Sequence, residues 1–268
     1  MAVEWDIKKR IIEIGQRLWS KGFVAANDGN ISVRLDDNRF LCTPTGVSKG
    51  FMTPPMILKI DAKGNLLSGK SLYKPSSEIM MHLQVYQERK DIQAVVHAHP
   101  PHCTAFAVAG IPLDKCVLPE AIATLGAVPI ADFALPSSAE VPQVIREHIQ
   151  KTDVLLLANH GALTTGKDLL NAYYKMETLE HSARIIWLAH LLGNVNVLPA
   201  NQAERIMALR EKYNLSGPIM ACDPTPILTS QKTEKKTLHS TNPEKTVNQL
   251  SEQDITKIRE EINQLLKS

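Results

Sequence analysis

The sequence predicts an α/β layered domain. Stretches with apolar residues at helical spacing alternate irregularly with short β-branched or apolar runs, the mixture a helix-covered sheet requires. Of the 268 residues, 44% are hydrophobic, enough for a substantial core. After about residue 216 the composition changes, and 231–248 is almost free of large apolar residues, so the layered domain is expected over 1–215, with an appendage beyond it.

Ile7, Ile11, Ile14 and Leu18 share one face of a helix over 3–21, and Gly22 follows as a stop. Asn27-Asp28-Gly29-Asn30 is turn chemistry, and Ile31-Ser32-Val33-Arg34-Leu35 reads as a strand. A second strand over 39–43 ends in Pro44-Thr45-Gly46. A third over 57–60 enters the turn Asp61-Ala62-Lys63-Gly64-Asn65. Ser76 and Ser77 mark a helix start, with Glu78 in its first turn and the helix reaching about 88. Ala94-Val95-Val96 is a buried-strand pattern running into His97-Ala98-His99, and a helix follows from about 101. A strand over 128–133 and a helix over 141–150 come next. Val154-Leu155-Leu156-Leu157 is an apolar strand that breaks at Asn159-His160-Gly161. Long helices over 168–192 and 202–213 complete the domain.

Composition narrows the function. A net charge of +2 with no basic run argues against nucleic acid. No apolar stretch is long enough to span a bilayer, and the opening MAVEWDIKKR is polar and enters a helix directly. Cys42, Cys103, Cys116 and Cys222 are scattered without a CxxC pair, so reduced thiols in a cytoplasmic protein are expected. Dinucleotide and phosphate-loop glycine motifs are absent.

The histidines suggest a metal centre. Residues i and i+2 of a strand point to one face, so His97 and His99 can converge on one ion. His160, in a glycine-containing turn after a strand, is the best third ligand, with His102 its nearest rival. His82, His148, His181, His190 and His239 read as packing or solvent residues. Thr45-Gly46 and Ser76-Ser77 present hydroxyls and amides at turns or a helix start, where anions bind, and Asn27 and Asn30 offer further donors. Glu78 is the carboxylate placed to ligate metal or act as general base. Each motif also has a plain alternative: strand-end histidines, serine helix caps, and a glutamate favouring the helix dipole.

Taken in order, Gly29-Asn30, Thr43-Pro44-Thr45-Gly46, Ser76-Ser77-Glu78, His97-Ala98-His99 and Asn159-His160-Gly161 resemble the class II aldolase/adducin family over about residues 5–213. The resemblance implies a three-layer α/β/α fold with a central, mainly antiparallel sheet, and a homotetramer. It implies Zn²⁺ on His97, His99 and His160, with Glu78 as fourth ligand and then proton acceptor. Asn27, Asn30, Thr45, Gly46, Ser76 and Ser77 would hold a substrate phosphate. The implied reaction cleaves L-fuculose 1-phosphate or L-rhamnulose 1-phosphate to dihydroxyacetone phosphate and L-lactaldehyde. Related epimerase, decarboxylase or dehydratase chemistry, and a non-catalytic adducin-like binding module, are its alternatives. Tyr213 matches a family tyrosine that closes over a neighbouring subunit's site. The family's acid tyrosine has no counterpart in 115–126, where Glu120 is the only acid.

Beyond the domain, 216–250 is expected as an extension and flexible linker, since 231–248 lacks the apolar residues to bury. Ile255, Ile258, Ile262, Leu265 and Leu266 then form one apolar stripe of a short helix over 251–268. That helix either folds back on its own tetramer or resembles an encapsulation peptide, which would place the enzyme inside a bacterial microcompartment with shell proteins as partners.

Overall fold

A computed structural model describes residues 2–68 and 72–227 of the protein. Its strands are β1 (Asn30–Arg34), β2 (Arg39–Cys42), β3 (Leu58–Asp61), β4 (Leu66–Ser68), β5 (Ala94–Ala98), β6 (Ile130–Ala131), β7 (Val154–Leu157) and β8 (Gly161–Gly166). They form one eight-stranded sheet in the order β4-β3-β2-β1-β5-β8-β7-β6, antiparallel except for β6 against β7.

Alternation along the strands sorts the core into two layers. Ile31, Val33, Val96 and Leu156 face α1 (Ala2–Ser20), α3 (Pro101–Ala109) and α6 (Leu169–Leu192). Their neighbours Val95, Leu155 and Leu157 face α2 (Ile79–Glu88) and α5 (Glu140–Ile149). The result is the three-layer arrangement with a mainly antiparallel sheet. A smaller cluster joins Ile122 of α4 (Pro119–Thr124) to Ala203 of α7 (Ala200–Lys212).

Local physics moves several boundaries. Helix α2 starts at Ile79 rather than at the serines: the Ser76 N–H donates to Thr43 O at 3.2 Å, and Pro44 pairs with Pro75, holding the chain extended. Glu78 therefore sits just ahead of the helix, at φ −100° and ψ 12°. The strand expected over 128–133 shrinks to β6, because Pro129 has no N–H for a ladder, and Val128 bridges to Leu113 instead.

The expectation of reduced thiols is corrected at one pair. Residues 216–227 return beside 114–116, where Cys116 N donates to Asp223 O at 3.1 Å and Asp223 N to Asp114 O at 2.7 Å. That pairing brings Cys116 and Cys222 to a Cα separation of 5.1 Å, and they form a disulfide. Cys42 and Cys103 are buried free thiols. No described helix is long and apolar enough to cross a membrane. The expected linker over 231–248 and helix over 251–268 lie outside the described residues.

Candidate metal centre

Strand register assembles the site. His97 ends β5 beside Asn30 of β1, its Cα partner across the ladder. On the other edge Ala98 pairs with Ala162 of β8, which carries the β7–β8 turn, and with it His160, over His99. Asn159 adopts φ 56° to make that turn, and His160 N closes it by donating to Leu157 O at 3.0 Å. Gly161 is required there: a Cβ would stand 2.6 Å from Ala98 O and 2.7 Å from His99 Cδ2.

The three imidazoles converge, with ring centroids 4.7–4.9 Å apart and one ligand atom from each within 4.8 Å of the others. His97 Nδ1 lies 2.9 Å from Ala162 O, so it carries the proton and leaves a lone pair on Nε2. That Nε2 faces His99 Nε2 at 3.1 Å and Glu78 Oε2 at 3.4 Å, while His160 Nε2 faces Glu78 Oε1 at 3.3 Å. Glu78 is oriented by Asn30, whose Nδ2 donates to Oε2 at 2.9 Å. Glu78 Oε1 and Asn30 Oδ1 are buried with no protein hydrogen-bond partner. Three convergent nitrogens with a carboxylate beside them are the donor set of an open tetrahedral site, so these residues fit a divalent metal.

Electrostatics agree. Burial pushes His97 well below the ordinary histidine range and His160 down to about 4, and it lowers His99 as well. All three are neutral at pH 7, as metal ligands must be. Burial raises Glu78, opposed by the Asn30 hydrogen bond and reinforced by the nearby Asp28 charge, so its proton affinity exceeds that of a free carboxylate.

The residues read as an anion site also meet. Thr45 N donates to Lys74 O at 3.0 Å, which lays the Thr45-Gly46 turn beside the Ser76-Ser77 loop. Thr45, Gly46 and Ser77 are exposed, while Ser76 is buried and its Oγ accepts from Glu78 N at 3.3 Å. Asn27 and Asn30 bracket the turn leading into β1.

Tyr213 stays apart: it caps α7, is 60% exposed, and among the described residues makes no hydrogen bond to the cluster. His102 does not join the triad either. Its Nδ1 is 2.7 Å from Glu180 Oε1, and Glu180 also accepts from the His102 and Cys103 N–H groups at the start of α3. A cleft of about 810 Å³ opens beside His102 and Glu180 and includes Glu120 of α4.

Sequence reasoning passed over Asp28. Its Oδ2 lies 3.4 Å from His99 Nδ1, the partner that orients a ligating imidazole. Its place between Asn27 and Asn30, in a turn already singled out, was the available signal.

The family model for the class II aldolase and adducin N-terminal domain matches residues 9–187. An L-fuculose phosphate aldolase of Methanococcus maripaludis is 39% identical over 181 residues, covering 68% of this chain and 96% of the relative. A 3-oxo-tetronate 4-phosphate decarboxylase of Haemophilus influenzae is 32% identical over 184 residues, covering 67% and 86%. Among solved structures, an L-fuculose 1-phosphate aldolase superposes with a TM-score of 0.70 at 32% identity, covering 78% of this chain and 96% of that one.

Proposed function

The chain belongs to the class II aldolase and adducin family, and from that membership we propose that it is a zinc-dependent lyase that cleaves L-fuculose 1-phosphate or a close ketose 1-phosphate. The observation that carries the reading is Glu78, poised 3.3–3.4 Å from two of the three converging imidazoles with a raised proton affinity.

His97, His99 and His160 would hold Zn²⁺ through nitrogen lone pairs. A bound divalent cation supplies Lewis-acid polarisation of the substrate carbonyl and adjacent hydroxyl oxygens. Asn27, Asn30, Thr45, Gly46, Ser76 and Ser77 hold the phosphate and so fix the sugar's first carbons against the imidazoles. When the carbon–carbon bond breaks, its electron pair stays on the phosphate-bearing fragment, and the hydroxyl of the departing fragment becomes the aldehyde carbonyl by giving its proton to water, from which Glu78 is in turn reprotonated. Glu78, protonated more readily than a solvated carboxylate, returns a proton to the carbon that kept the pair. Asn30 keeps that carboxylate turned toward the site.

Decarboxylation of a 3-oxo acid phosphate is the second reading, motivated by similarity to 3-oxo-tetronate 4-phosphate decarboxylases. It ends in the same kind of electron pair on carbon, and the same Glu78 would protonate it. A coupled assay for dihydroxyacetone phosphate across ketose 1-phosphates, run beside carbon dioxide detection with 3-oxo-tetronate 4-phosphate, separates the two. Release of dihydroxyacetone phosphate, lost in Glu78→Gln, is expected. Carbon dioxide alone would replace the aldolase reading with the decarboxylase one.

A further inference from the structure

Lys49 lies where two loops of the proposed phosphate cradle meet. Its side chain is buried, at 1% exposure. The Nζ donates to Asn27 O at 2.8 Å and to Val47 O at 2.8 Å, one partner in each loop. Asp28 and Glu78 act on it only as more distant negative charges. A buried ammonium satisfied by neutral carbonyls alone is costly, and such a charge is normally paired. Burial pushes Lys49 down to about 8, so it remains mostly protonated at neutral pH.

One stretch in front of it, 46–48, has unpartnered amides, whereas Thr45 N donates to Lys74 O and Asp28 N to Ala25 O. Among the described residues, the Gly46, Val47 and Ser48 N–H groups find no backbone acceptor. Carbonyl and N–H point in opposite directions across a trans peptide, so a Val47 carbonyl drawn in to Lys49 turns the Ser48 N–H outward. Ser48 Oγ is buried with no partner. Gly46 adopts φ +71°, and nothing lies within 4 Å of where its Cβ would stand, leaving open space over the turn. Successive free amides around an open space, backed by a buried cation, form an anion-binding concavity.

We propose that Lys49 is the positioning residue of the phosphate site: it offsets the anion's charge from behind loops 27–30 and 45–48 and draws the Val47 carbonyl inward, so that the Ser48 amide faces the phosphate beside the open Gly46 turn. The proposal rests on the reading of these loops as a phosphate cradle. The ammonium acts through the loops and need not touch the substrate.

Calorimetric titration of the zinc-loaded protein with inorganic phosphate tests this in wild type, K49M and K49R. Wild type should bind phosphate. K49M should bind it at least ~10-fold more weakly, the worth of one charge-assisted contact, with zinc content unchanged. K49R, which keeps the charge, should recover much of the loss. Phosphate affinity in folded K49M within about twofold of wild type would overturn the role of Lys49 while leaving the cradle standing. Loss of zinc together with phosphate in K49M would make Lys49 a general structural residue and also overturn it. A wild-type protein that binds no phosphate would overturn the cradle and the proposal together. Should K49M not fold, nitrogen-15 spectra of wild-type lysine ammonium groups carry the test. The buried signal, identified by its absence from K49R, should shift on phosphate addition, and a signal unmoved at saturating phosphate would refute the proposal.

Discussion

Gly161→Ala probes the tightest contact in the metal centre. The new methyl carbon would stand 2.6 Å from the Ala98 carbonyl oxygen and 2.7 Å from His99 Cδ2. Heavy atoms of this kind rest at about 3.5 Å, so something must yield by ~0.8 Å. The Ala98 carbonyl belongs to the β5–β8 ladder, paired through Ala98 and Ala162, and is stiff. The His99 ring is the softer neighbour. It is partly exposed, and its outer contact is the 3.4 Å approach of Asp28. Metal sites tolerate ligand displacements of only about 0.2 Å, so a shift of this size removes His99 from useful coordination. Overpacking costs the fold roughly 1–3 kcal/mol, and metal affinity should fall at least ~10–100-fold, the effect of disturbing a ligand's support. A chromophoric chelator competing for zinc reads the affinity, and urea unfolding reads the stability. A folded Gly161→Ala protein that holds zinc as tightly as wild type would show that the turn has slack, and that His99 is not held in place by the close approach of residue 161.

Two further outcomes follow from the buried charges. Asp153→Ala removes the carboxylate shared by Lys175, 2.7 Å away, and Arg89, 3.0 Å away; buried Lys175 is left with only the Thr165 carbonyl, while Arg89 keeps Asp91. Urea melts should show a loss of about 3–5 kcal/mol, and a loss under ~1 kcal/mol would mean Lys175 finds another partner. Acidifying the metal-free protein should destabilise it between pH 6.5 and about 4. In the folded state burial holds His160 at about 4 and His82 at about 3, with His97 well below its ordinary value, whereas the unfolded chain takes up these protons from pH 6.5 downward. Glu78, raised by burial, has the opposite sign but is one group against four, since burial lowers His99 too. Urea midpoints that stay level or rise from pH 7 to pH 4.5 would contradict this balance.

The legible parts of this molecule were those whose signal lies within a few neighbouring residues. The His97 and His99 pair could be read because a strand's pleat carries both side chains to one face. The helices could be read because their apolar spacing is local, as Ile11, Ile14 and Leu18 of α1 illustrate. Strand β8 escaped because Gly161-Ala162-Leu163-Thr164-Thr165-Gly166 is buried along its whole length and bounded by glycines, so it shows no alternation. Its absence from the sequence reading matters most for the site. His160 reaches His97 only because β8 lies beside β5, in a register that pairs His97 with Leu163 and Ala98 with Ala162. Long-range partners were hidden for the same reason. Glu180 of α6 on His102, and Cys222 on Cys116, act across 78 and 106 positions of chain. Lys49 was hidden for a different one: lysine is almost never buried unless paired, so its type argues for the surface, and only the inward Asn27 and Val47 carbonyls reveal its position. Residue types thus announce which chemistry a chain can perform, but strand register decides which of those residues meet. A single-residue slip of β8 against β5 would turn its side chains to the opposite layer and move the His160 turn off His99. The metal centre is therefore as much a property of the sheet's pairing as of its histidines.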